Sequence, residues 1–204
     1  MRTKHLLYFG FITPVIFWLN TLICGYLLKD YSHLTNYVSE LGAVGTKTQT
    51  LFSIGVALCA VSNTFFLIGL YKACKELGVS VIPAYILVSF SISMFGVALF
   101  SYPLIWHAIG NMSIFLNFAP LAVFFLWKRN NDFQHIRVFS LVMFVIMVLH
   151  FGVHIPRLNN HYPGLIQRLG HIGWSTWFIY LSFNLNKLLG IKKKAGQASY
   201  TIAS

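Results

Sequence analysis

His150 and His154 stand four residues apart in an apolar run, a spacing that in an α-helix sets both imidazoles on one face. Two neutral imidazoles so placed suit zinc, which takes nitrogen ligands in tetrahedral geometry. They do not suit the two axial positions of one haem, because those ligands approach from opposite faces of the ring. His107, which directly follows Ser101-Tyr-Pro-Leu-Ile-Trp106, and His171, three residues after Arg168, complete the candidate ligand set. Glu40 and His107 are the candidate catalytic pair, Glu40 acting as the base for a metal-activated water directed at lipid. The alternative for each histidine is an interfacial ring bonded to headgroups or backbone, and for Glu40 a solvated loop side chain.

A second chemistry is suggested by Gln167-Arg168-Leu-Gly-His171 at the start of the last apolar run. Arg168 and His171 can face the same way, and the free amides of a helix N-terminus there favour phosphate or carboxylate. Arg168 and Arg157 are therefore candidate anion or headgroup binders. For Arg168 the alternative is snorkelling to a lipid phosphate.

The elements that must carry these residues are apolar. Of the 204 residues, 57% are hydrophobic and 9% charged, against roughly a quarter charged in soluble domains, so the chain cannot clothe itself for water. Six runs predict transmembrane helices at about Leu6 to Leu28, Thr48 to Tyr71, Val79 to Tyr102, His107 to Trp127, Ile136 to Ile155 and Leu169 to Leu189. Each is near the roughly 20 residues needed to cross a bilayer. The first follows Arg2 and Lys4 like a signal peptide, but it is long and no small-residue cleavage site follows, so it is expected to be retained.

With the N-terminus inside, eleven Lys and Arg fall on inner segments and four (Lys29, Lys47, Arg157 and Arg168) on outer ones, which accounts for all fifteen. That bias fits six crossings with both ends inside, and it gives the net charge of +11 a topological meaning rather than a nucleic-acid one. The expected fold is all-α: a polytopic bundle of six transmembrane helices in one domain over residues 1–194, with a short mobile cytoplasmic tail at 195–204. Residues Tyr31 to Gly42 carry apolar side chains at Tyr31, Leu34, Tyr37, Val38 and Leu41, offsets that predict a short amphipathic helix in the first outer loop. On this topology six of the eight histidines lie at or near the outer surface. Cys24, Cys59 and Cys74 have no ligand-like spacing and read as small buried hydrophobes. Gly170, Gly173 and Ser175 on the sixth helix, with Ser89, Ser93 and Gly96 on the third, read as close helix approaches, and Asn63, Asn111 and Asn117 as interhelical hydrogen bonders.

Taken together, Tyr31-Ser-His-Leu with Ser39-Glu40-Leu-Gly-Ala43, Pro103 and His107 at the fourth helix, and Gly164-Leu-Ile-Gln-Arg168 with Trp174 resemble the domain of unknown function 998 family. The resemblance covers nearly the whole chain. It implies a six-helix membrane domain of bacteria and archaea, and no particular activity. Members of that family carry an acid shortly after the proline and often a Glu before the arginine, where this chain has Leu104-Ile-Trp106 and Gln167. If those acids build a site, this chain lacks it. The Ser-Glu-Leu-Gly loop is also distantly similar to autophagy-modulator membrane proteins, which favours a lipid-related role by analogy.

The expectation is a multi-pass protein of a prokaryotic plasma membrane that binds, moves or modifies a lipid or small amphiphile through an outer pocket. The alternatives are a zinc-dependent intramembrane lipid hydrolase and a scaffold or accessory subunit with a membrane-protein partner. Membrane lipids are the expected partners and nucleic acid is not. A proton or electron pathway fits less well, since no apolar run contains an Asp or Glu.

Overall fold

The computed structural model describes residues 2–110, 113–128, 131–154 and 161–203, with side chains for all of these except 109, 110, 113, 153, 154, 196 and 198–203. Among the described residues every regular element is a helix. These are α1 (Thr3–Leu7), α2 (Phe9–Leu27), α3 (Gln49–Leu77), α4 (Ile82–Leu99), α5 (Ile105–Gly110), α6 (Phe118–Leu126), α7 (Gln134–Val148) and α8 (Pro163–Ala203), with 3-10 turns between them. α1 and α2 form one continuous stretch, because Tyr8 between them keeps helical dihedrals. Gly78 ends α3 in the left-handed conformation (φ 73°), and its N–H returns to the carbonyls of Cys74 and Lys75.

Among the described residues four helical stretches are long and apolar enough to cross a membrane: Thr3–Leu27, Gln49–Leu77, Ile82–Leu99 and Asn131–Gly152. Their outward faces carry large exposed apolar side chains such as Val15, Leu19, Ile54, Leu58, Ile92 and Val142. Apolar surface on this scale is stable facing lipid rather than water. The other two expected spans differ. The described residues of the fourth form α5, a 3-10 turn over Ser113–Asn117 and α6, with Ile114–Leu126 a shorter apolar helix.

The sixth expected span is the middle of the 41-residue α8. It packs on α2, α3 and α7, and buries Trp177, Phe178, Leu181 and Leu185 completely. A helix so enclosed meets protein on most sides, so it can carry polar and aromatic residues where a lipid-facing helix would carry aliphatic ones. Trp177 Nε1 donates to Ser140 Oγ at 2.9 Å, and Trp18 Nε1 donates to Ser175 Oγ at 3.1 Å. The backbone stays helical past Lys194 through Ala203.

Small and polar residues set the spacing elsewhere. A Cβ at Gly69 would lie 2.8 Å from Leu6 and Leu7 backbone atoms, and one at Gly173 would lie 2.6 Å from Met147 Cγ. Asn63 donates to Ser91 Oγ at 2.8 Å and Leu87 O at 3.3 Å, joining α3 to α4 as expected of an interhelical amide. Cys24, Cys59 and Cys74 are buried and unpaired by disulfides. Asn111 lies outside the described residues.

Candidate functional site

The first long loop does not form the expected amphipathic α-helix. Ser32, Asn36 and Glu40 have short polar side chains or acceptors that compete with helical bonding, and here they do. The N–H of Ser32 donates to Asn36 Oδ1 at 2.9 Å, and that of Tyr37 donates to Glu40 Oε1 at 3.0 Å. The chain then tightens into a five-residue 3-10 helix, Val38–Gly42, whose Val38 and Leu41 are buried in the bundle rather than laid on an interface. Thr48 Oγ1 donates to Leu41 O at 2.6 Å, and Phe52 packs against Gly42, so α3 receives the end of the loop.

The start of α8 holds the other side of this loop. Leu165 N donates to Leu34 O at 3.0 Å and Val38 N donates to Gln167 Oε1 at 2.6 Å. Ile166 N donates to Tyr162 O, so these amides of the helix N-terminus serve the chain itself and are not waiting for an anion. Arg168 is 6% exposed. Its Nη1 donates to Asn36 O (3.0 Å) and Gly164 O (2.9 Å), while Nη2 donates to Tyr31 Oη (2.5 Å) and His33 Nδ1 (3.0 Å). Nε is buried without a partner among the described residues. The guanidinium is therefore an internal clamp on the loop, neither facing the same cavity as His171 nor snorkelling outward. Arg157 lies outside the described residues.

The clamp sets the ionisation of its partners. Burial pushes the Tyr31 phenol above its ordinary value, against the opposing pull of Arg168. Burial and then the Arg168 charge hold the His33 imidazole below its ordinary value. A guanidinium only donates, so His33 Nδ1 must accept, which requires the neutral ring. Glu40 sits one residue removed, its Oε2 accepting from Asn36 Nδ2 at 2.6 Å.

Beneath this loop lies a cavity of about 330 Å³. Phe17, Phe90, Met94, Met147 and Trp174 supply apolar wall, and Ser39, His107, Asn117, His150, Gln167 and His171 supply its polar groups. The loop residues Val38 and Ser39 close one side. Three of the four sequence-predicted ligands, His107, His150 and His171, thus share one cavity, while Glu40 is engaged with Asn36 and Tyr37 and is not part of its wall. His107 Nδ1 meets Phe100 O at 2.7 Å, and Trp174 Nε1 donates to His171 Nδ1 at 3.1 Å. The His150 and His171 ring centroids are 6.2 Å apart.

The expected shared face of His150 and His154 does not form in the backbone. α7 ends at Val148, and Leu149–His154 is a 3-10 helix, in which residues four apart are about a third of a turn out of register. The side chain of His154 is outside the described set. Among the described residues no group of three or more His, Cys, Asp or Glu gathers closely enough to hold a metal ion. What sequence reasoning missed is the aromatic box around His171: Phe17 at 4.7 Å and Trp174 at 6.4 Å between centroids, with Phe90 at 5.0 Å from Trp174. Of these residues only Trp174 stands in a motif that the sequence marks, the family-like one.

No curated protein and no solved structure matches this chain significantly. A family model described as a protein of unknown function (DUF998) matches residues 11–184, and with its apolar helices this marks a membrane protein that belongs to the DUF998 family.

Proposed function

We propose that this chain crosses a prokaryotic plasma membrane six times with both ends inside, and that it binds a lipid or small amphiphile in the cavity beneath its first outer loop. The cavity is the observation that carries the reading. At about 330 Å³ it falls at the lower end of the roughly 300–1,000 Å³ of small-molecule sites, and it combines apolar wall with a few polar groups as such sites do. Its size suits one ring system or one length of acyl chain, not a two-chain phospholipid. The clamp at Arg168 fixes the cavity's cover by hydrogen bonds beside the buried Val38 and Leu41, and its release opens the way for entry and exit.

The test is extraction of bound small molecules from protein purified in nanodiscs, comparing wild type with Met94→Trp and Val97→Trp, which fill the cavity. A lipid-soluble compound near one per protein in wild type, and at least about tenfold less in both variants, is the expected result. Equal recovery from wild type and both folded variants refutes the cavity as the binding site.

The metal-dependent hydrolase reading retains one favourable observation, the three histidines on one cavity. The base expected for it, Glu40, bonds to Asn36 and Tyr37 in the loop instead. Zinc retained through purification and lost in His107→Ala and His171→Ala would revive it.

A further inference from the structure

The geometry points to a ligand class for this cavity: an uncharged amphiphile whose polar end is a hydroxyl. The inference rests on the cavity being the binding site, and adds what the site selects. Among the described residues that line it, none is Asp, Glu, Lys or Arg. Arg168, next in sequence to the lining Gln167, spends Nη1 and Nη2 on Asn36, Gly164, Tyr31 and His33, so its charge is directed to the loop. A charged headgroup inside would lose its water without gaining a counter-ion from these residues, which burial makes costly.

Two histidines then define the polar group that fits. Phe100 O can only accept, so His107 Nδ1 carries a proton, and in the neutral ring that leaves Nε2 as a lone-pair acceptor. The indole N–H of Trp174 can only donate, so His171 Nδ1 must accept and the proton of its neutral ring sits on Nε2. That Nε2–H is buried with no partner among the described residues, on a ring that lines the cavity. A buried donor without an acceptor is costly, and a ligand oxygen would satisfy it. Among the cavity's polar groups, these two rings, on α8 and α5, supply one donor and one acceptor. A hydroxyl matches both, accepting from His171 and donating to His107. At these two rings a carboxylate could use only the donor, and an ammonium only the acceptor. The rings of Phe17, Phe90 and Trp174 would enclose the apolar part.

The experiment is photo-crosslinking in nanodiscs with four medium-chain probes carrying a diazirine in the chain and ending in hydroxyl, carboxylate, trimethylammonium or methyl. Labelling of cavity peptides is normalised to that of the lipid-facing positions Leu19 and Ile54 in the same molecule. The expected result is that the alcohol labels the cavity about tenfold more than either charged probe, and that excess unlabelled alcohol removes the signal. His171→Phe should lower alcohol labelling about five- to tenfold and leave the methyl-ended probe unchanged, which a merely unfolded variant would not do. Charged probes that label as well as the alcohol, with all labelling blocked in Met94→Trp, would overturn the ligand class and leave the cavity reading standing. Cavity labelling by every probe no greater in wild type than in Met94→Trp would refute the cavity reading and this inference with it.

Discussion

Replacing Arg168 by Met keeps an unbranched stem and removes a guanidinium that is 6% exposed. Three of its four contacts cross from α8 to the loop, ending on Asn36 O, Tyr31 Oη and His33 Nδ1, while the fourth stays within α8 at Gly164 O. Hydrogen bonds from a charged donor contribute about 1.5–3 kcal/mol each, so the cross-contacts are worth roughly 4.5–9 kcal/mol before desolvation. Freeing the variant from burying a cation returns several kcal/mol of that. The remainder, about 2–3 kcal/mol in favour of the closed loop, corresponds to a roughly 30- to 140-fold rise in the loop-opening constant on substitution. Amide hydrogen exchange reads this constant directly where reclosing is fast. The reporting amides are Leu165, bonded to Leu34 O, and Val38, bonded to Gln167 Oε1, with the amides of α3 as the internal control. Acceleration at Leu165 and Val38 with α3 unchanged is the expected outcome. Arg168→Lys, with one ammonium in place of a fork, should fall between wild type and Arg168→Met. Acceleration of less than about threefold at both amides, or an equal acceleration in α3, would refute the local clamp.

Acid should loosen the same loop. His33 has its folded-state value lowered from 6.5, so the closed form favours the neutral ring and binds fewer protons than the open one. The stabilisation is complete above the ordinary value and is lost as pH falls below it toward the folded-state value. Exchange at Leu165 and Val38, corrected for intrinsic rates, should rise between about pH 7.5 and about pH 5.5 in wild type and stay flat in His33→Asn, which keeps an acceptor without a titration. A flat wild-type profile would contradict the His33 contact. Gly69→Ala should lower the thermal midpoint in detergent, since its methyl would meet Leu6 and Leu7 backbone at 2.8 Å and overpacking costs about 1–3 kcal/mol; an unchanged midpoint would argue against that close approach. Because Cys24, Cys59 and Cys74 are buried, single cysteines at the exposed Lys47 and Lys72 can report orientation by impermeant thiol labelling. Label at Lys47→Cys on intact cells, and at Lys72→Cys only after permeabilisation, is expected; the reverse pattern would invert the topology.

Much of the architecture was legible because hydrophobic runs are a global signal: long helices sit at four of the six predicted spans. The gathering of His107, His150 and His171 at one end also followed, once the runs were placed end to end. What was not legible depended on contacts between distant segments. Arg168 has the spacing of a surface anion site, and only folding shows that Asn36, Tyr31 and His33 surround it. Val38 and Leu41 have amphipathic spacing, yet the local bonding of Asn36 and Glu40 and the packing of α3 select a 3-10 turn. The His150–His154 spacing assumed that α7 continued as an α-helix; it tightens after Val148, and a four-residue interval changes its meaning with the helix type.

The placement of α8 bears on how the protein is made. Synthesis delivers this helix after all its partners, and its buried side, with Trp177 committed to Ser140 and Ser175 to Trp18, is made for protein neighbours, while Ile172, Ile179 and Phe183 stay exposed. The insertion machinery reads apolarity one segment at a time, and it should find little in α8 to release sideways into lipid. The packing partners of α8 in the finished bundle are α2, α3 and α7. Docking on those helices should then matter more to α8 than partition into lipid, so damage to any of the three should leave α8 unassembled before any ligand is involved.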